Sequence, residues 1–214
     1  STYTGTGSNA TVGHGLAVAP EFIIIKNRGV TDPWAVYYGD NTDYMVLNTN
    51  AATVDDATMW QDTTPTSTVW SIGTNHQVNA DGENYIAYCF ANSQFISVGE
   101  FLGNENTNGP YVSTVNSLGV PIQPTFVMIK NMSKSRSWNV WDNKRSPFNV
   151  SQNLLEWDFV QTEQTGSTYF IDIVTGGFKP RGTHETINGA EQMLYFAMGS
   201  PIIDTSGRII AGKL

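Results

Sequence analysis

Eight residues near the start of the chain, Pro20-Glu21-Phe22-Ile23-Ile24-Ile25-Lys26-Asn27, return 104 positions later as Pro124-Thr125-Phe126-Val127-Met128-Ile129-Lys130-Asn131. At the same offset Trp34-Ala35-Val36-Tyr37 meets Trp138-Asn139-Val140-Trp141, and Gly15-Leu16 meets Gly119-Val120. The ends pair as Tyr88-Cys89-Phe90-Ala91 with Leu194-Tyr195-Phe196-Ala197, and the openings as Tyr3-Thr4-Gly5-Thr6 with Phe101-Leu102-Gly103-Asn104. Three blocks at one offset, with the ends shifted by 106 and the openings by 98, define a duplication, and a repeated unit that is one supersecondary structure is folded twice. The reading is unit one over residues 1–98, unit two over 99–200, and a C-terminal tail or hairpin over 201–214.

Inside a unit the blocks read as strands. Phe22 to Lys26 is apolar at successive positions, as in a strand covered on two sides, while Trp34–Tyr38, Tyr44–Leu47, Thr68–Ile72 and Tyr85–Phe90 are separated by clusters of Gly, Asp and Asn. Unit two repeats this at 125–129, 137–142, 154–159, 169–174 and 192–197, and Gln152 to Trp157 is the stretch that could pass for a helical turn. With 24 Thr, 19 Asn, 16 Ser and 20 Gly, and only 14% charged residues, the chain lacks the residues that build helices. Strands without helices must cover one another. The expected fold is therefore all-β: a sandwich or jelly roll of two homologous halves, sharing one body or forming two small tandem sandwiches. One body would cover the edges that a lone half exposes.

Charge and cysteine content narrow the partners. Nineteen Asp and Glu against eleven Lys and Arg leave a net charge of −8, with no basic run longer than Lys144-Arg145, so a phosphate backbone is repelled and nucleic acid is excluded. Cys89 stands alone in an apolar strand, which excludes an internal disulfide and reads as a small buried hydrophobe. No apolar run approaches the length of a membrane-spanning helix. The chain opens Ser1-Thr2-Tyr3 rather than on Met, as a processed or excised chain would.

The blocks Tyr3-Thr4-Gly5-Thr6-Gly7, His14-Gly15-Leu16 running on to Pro20 and Phe22–Arg28, Trp34–Tyr37, and Asn79 through Gly82 to Tyr85–Ala91 together resemble a repeat in virion proteins of tailed phages, marine ones especially. In those proteins the repeat sits in tail fibres and related structural proteins, often beside concanavalin-A-like sandwiches. The resemblance implies a virion component on the particle surface, in contact with other virion proteins and with host surface polysaccharide. It also implies a homo-oligomer, with a trimer as the arrangement fibres commonly take. Unit two departs from the pattern where Leu118 stands for His14 and Tyr195 for Cys89.

Catalysis finds little footing. Glu156-Trp157-Asp158-Phe159-Val160-Gln161 resembles the nucleophile strand of laminarinase-type glycoside hydrolases, but Gln161 stands where their acid does. A retaining mechanism needs two carboxyls, and an amide cannot protonate a leaving group. The histidines are His14, His76 and His184, with no nucleophile elbow around any serine; His14, between two glycines, reads as a loop histidine with a partly exposed ring. The acidic turns at 40–43, 54–56 and 79–84 supply oxygens, yet none has the spacing of a calcium loop, and ordinary turns have the same composition. The expectation is a non-enzymatic protein with no cofactor and no metal. The alternatives are a polysaccharide depolymerase and a purely architectural module.

Carbohydrate is the ligand the side chains suit, since a sugar needs an apolar platform beside a few convergent polar groups. Trp34 and Trp138 occupy equivalent places in both units and read as core. Aromatics without a counterpart are the candidate platforms: Trp60 with Asp62, Tyr44 with Asp43, and Trp157 with Glu156 and Asp158. Trp60 ranks first because its neighbours are polar and no apolar run is there to bury it.

Overall fold

The alternation of side chains along each strand decides what the chain can bury. In a computed structural model that describes residues 1–165, 168–204 and 206–209, the chain divides into unit 1, Ser1–Ala91, and unit 2, Asn92–Leu214. The division falls a few residues before the one drawn from sequence, because Ile96–Leu102 is one continuous strand of unit 2.

Unit 1 runs β1 (Thr2–Thr4), β2 (Ala10–Gly13), β3 (Phe22–Asn27), β4 (Ala35–Tyr37), β5 (Asp43–Val46), β6 (Val54–Asp55), α1 (Ala57–Trp60), β7 (Val69–Ile72), α2 (His76–Asn79) and β8 (Asn84–Phe90). Six strands form one antiparallel sheet in the order β1-β8-β3-β4-β5-β6, and β2 pairs with β7 in a second, smaller sheet. Ile23 lies opposite both Tyr37 and Cys89, and Ile25 opposite Ala35 and Ala87. This register turns one row of side chains inward against Val12, Trp70 and Ile72 of the small sheet. The opposite face of the large sheet is apolar too: Phe22, Val36 and Tyr38 are buried, as the double-sided pattern of 22–26 predicts.

Unit 2 runs β9 (Ile96–Leu102), β10 (Val112–Ser113), β11 (Ile122–Asn131), β12 (Asn139–Asp142), β13 (Asn153–Glu156), β14 (Gln164–Thr165), β15 (Ile171–Val174), β16 (Gly177–Pro180), α3 (Glu185–Asn188) and β17 (Gln192–Pro201). Its six-stranded sheet has the order β9-β17-β11-β12-β13-β14, which is the order of unit 1 strand for strand, and β10-β16-β15 forms the covering sheet. Val127, Ile129, Trp141, Leu154, Met193 and Tyr195 meet Val112, Ile171 and Phe178 in a core cluster of this unit's own residues. Gly15 and Gly119, paired in the sequence repeat, both adopt the left-handed conformation, at φ +72° and +73°. An L side chain would be strained at either turn.

The described residues thus form an all-β protein of antiparallel sheets packed face to face. Each of the three described helices is a single turn of four residues, capped by Asp56, Asn75 and His184 respectively. Gln152–Trp157, which the sequence allows as a helical turn, is mostly strand β13: Leu154 points into the core and Val140 pairs with Leu155. In the tail, Ile203 bridges Ile209 around the turn at Gly207, and the Ile202 N–H donates to Pro121 O at 3.1 Å. That much of the expected hairpin is present; Thr205 and residues 210–214 lie outside the described residues.

Candidate ligand-binding site

Trp60, the first-ranked platform, is not on the surface. Asp56 caps α1 by accepting from the Thr58 N–H, and the turn it starts swings Met59 and Trp60 into the core of unit 1, where Trp60 is 1% exposed. Its indole Nε1 donates to the Asp43 carbonyl at 3.0 Å, and its ring meets Tyr37 edge-on at 5.7 Å. Polar neighbours did not keep it exposed: Thr58 stays in solvent, while the Gln61 side chain turns in and donates to Ala10 O at 3.0 Å and Ile72 O at 2.7 Å. Tyr44 is half-buried and packs on the same cluster. Asp43 holds Trp60 through its backbone, while Asp62 is exposed in a left-handed turn whose carbonyl accepts from the Asn41 side chain. The structure therefore brings Asp43, Trp60 and Asp62 together as a packing joint, with no aromatic face open to a ligand.

The Glu156-Trp157-Asp158 corner behaves differently. Trp157 follows the last residue of β13, is 47% exposed, and leans on Phe126 with ring centroids 5.9 Å apart at 42°. Its backbone N–H donates to Trp138 O at 3.0 Å, and the Asp158 carboxylate accepts the Trp138 N–H at 2.8 Å, so the corner is pinned at two points. Beneath it Trp138 is fully buried, as its place in the repeat predicts; Trp34, its counterpart, is only half-buried. Glu156, the last residue of β13, has its carboxyl raised above the usual range, first by burial and then by the Asp158 charge. The Gln161 side-chain amide donates to that carboxylate. Position 161 thus supplies a hydrogen bond to Glu156 where a hydrolase would place its acid.

The remaining candidates resolve into structural roles. His14 is more buried than its glycine neighbours suggest, at 9%: Nδ1 accepts from the Leu16 N–H at 3.0 Å and Nε2 faces Thr66 O at 3.1 Å. Cys89 is partly buried against the core of unit 1, and burial lifts its thiol to about 11, which leaves little thiolate at neutral pH. Among the described residues no group of three or more His, Cys, Asp or Glu is placed to hold a metal ion, and no helix is long and apolar enough to cross a membrane.

Sequence reasoning missed two sets of buried polar groups. Asn79 and Asn188, each at the end of a one-turn helix and each fully buried, hold the loop that follows their unit's first strand. Asn79 accepts from the Thr6 N–H and donates to Ser8 O and Gly73 O; Asn188 accepts from the Asn104 N–H and donates to Asn106 O and Gly182 O. They are 109 positions apart rather than 104, so comparison at a fixed offset passes over them. Lys130, fully buried, donates to Asn131 O at 2.8 Å and sits 5.9 Å from the Trp138 ring centre. Burial brings its ammonium down to about 8, against the opposing pull of Asp158.

Residues 1–200 match a family model described as a domain of unknown function (DUF7483). No curated protein and no solved structure matches the chain.

Proposed function

We propose that the chain, which belongs to the DUF7483 family across residues 1–200, is a non-enzymatic structural protein of a phage virion. Its role is that of a tail-fibre, spike or head-decoration component that contributes to host attachment by binding surface glycan. The observation that carries the glycan reading is Trp157: a half-exposed indole on a pinned corner, preceded in the chain by Glu156 and followed by Asp158. The virion setting rests on the resemblance of the repeated blocks.

Hydrolysis is the competing reading for the same corner, and Gln161 argues against it, because the amide holds Glu156 and is far too weak an acid to protonate a leaving oxygen. The test is adsorption of the full chain to host cells and to their extracted surface polysaccharide. Trp157→Ala should lower adsorption with an unchanged melting temperature; equal adsorption would remove the glycan role and leave an architectural one. New reducing ends that appear with the natural chain and vanish with Glu156→Gln would establish a depolymerase instead.

A further inference from the structure

We propose that a cleft of about 220 Å³ in unit 2, between the start of β11, the loop joining β12 to β13, and β15, is a binding site for one uncharged sugar ring. This deepens the glycan reading and rests on it only for the class of ligand. The polar lining consists wholly of amides and hydroxyls: Gln123, Thr125, Asn143, Ser146, Asn149 and Ser151, with Pro124, Pro147 and Ile173 as apolar surface. No lining side chain is ionisable, so the cleft offers neither a carboxylate to a cation nor an ammonium or guanidinium to an anion.

The groups are also held in place. The Asn149 carboxamide accepts from the Ile173 N–H at 3.0 Å and donates to Ile173 O at 2.8 Å, which fastens the loop to β15. Gln123 donates to Val174 O at 3.2 Å, and its side-chain oxygen has no hydrogen-bond partner among the described residues. The Ser146 Oγ accepts from the Asn153 N–H at 3.2 Å, and its hydroxyl has no acceptor among the described residues. The Asn143 backbone N–H is fixed on Thr125 O at 3.0 Å, while its carboxamide has no hydrogen-bond partner among the described residues. Fixed, neutral donors and acceptors are what hydroxyl groups require, since each hydroxyl both gives and accepts. Pro124, Pro147 and Ile173 give the cleft its apolar surface. The cleft is smaller than the roughly 300–1,000 Å³ of sites for drug-sized ligands, which suits a single ring rather than a chain threaded through.

Saturation-transfer NMR on the full chain tests this, with glucose, galactose, mannose, N-acetylglucosamine and glucuronate as probes. At least one neutral sugar should bind, glucuronate should not, and Asn143→Ala and Thr125→Val should each weaken binding about three- to tenfold with the melting temperature unchanged. Binding that survives both variants but is lost in Trp157→Ala would overturn the cleft while keeping the attachment reading. Equal binding of glucuronate would overturn the neutral specificity. Absence of any neutral-sugar binding would overturn the cleft outright, and the adsorption measurement on Trp157 would still judge the attachment reading by itself.

Discussion

Burying an indole removes a large apolar surface from water but requires a partner for its N–H, and Trp60 has both, in the core of unit 1 and in the Asp43 carbonyl. Trp60→Ala should therefore cost about 3–5 kcal/mol, read as a shift in the denaturant midpoint. Trp157→Ala should cost under about 1 kcal/mol, since that ring is half in water. Similar losses for the two would mean that Trp157 is packing. The buried amides give a second contrast. Asn79→Ala leaves the Thr6 N–H and two carbonyls without their partner, and Asn188→Ala does the same in unit 2. Each unsatisfied buried group costs about 1–3 kcal/mol, so either variant should lose more stability than its small change in volume suggests. A loss below about 1 kcal/mol for both would show that water replaces the amide. None of this is written into residue type alone. Trp60 and Trp157 both have polar neighbours, and only the capped turn before Trp60 separates them.

Individual strands were legible because their signal is local: β3 and β11 announce themselves by apolar runs, and the repeat shows the same strand twice. The one-turn helices were not, since four residues are too few for a 3.6-residue period to register. Their caps differ in a testable way. α2 is capped by Asn75, whose side chain accepts from the Gln77 N–H, whereas in α3 the Nδ1 of His184 accepts from the Thr186 N–H. Only a neutral imidazole can accept there. The other ring nitrogen faces the Tyr169 hydroxyl at 3.2 Å, and burial together with Arg136 holds the imidazole below its ordinary value. The folded state thus binds this proton less readily than the unfolded chain. The stability it contributes is present above the ordinary histidine value of about 6.5 and declines as pH falls below it. Chemical denaturation should show His184→Asn, which keeps a capping side chain, losing less stability than the natural chain between about pH 7 and 5. Parallel slopes would detach the histidine from that decline.

Two six-stranded sheets share one strand order, yet each unit has elements of its own. β15 is an extra strand in the covering sheet of unit 2, and it supplies one wall of the neutral cleft. That cleft could not be read from sequence, because Asn143, Ser146 and Asn149 look like any turn until the chain brings them to Gln123. Charge, in contrast, was readable at once, and the structure adds where it goes: in unit 2 Lys134, Arg136, Arg145 and Arg181 all face Asp or Glu partners. With a net charge of −8 and these cations paired, a polyanion meets repulsion, whereas an uncharged glycan meets no long-range field. Salt separates the two cases, since the screening length falls from about 30 Å at 0.01 M to about 3 Å at 1 M. Adsorption to neutral glycan should hardly change across that range. Heparin and DNA columns should fail to retain the chain even at the low end, where a basic surface would bind most tightly through counterion release. Retention at low salt that is eluted by raising it would mean that a basic surface exists despite the net charge, and polyanions would then replace neutral glycan as the ligand class.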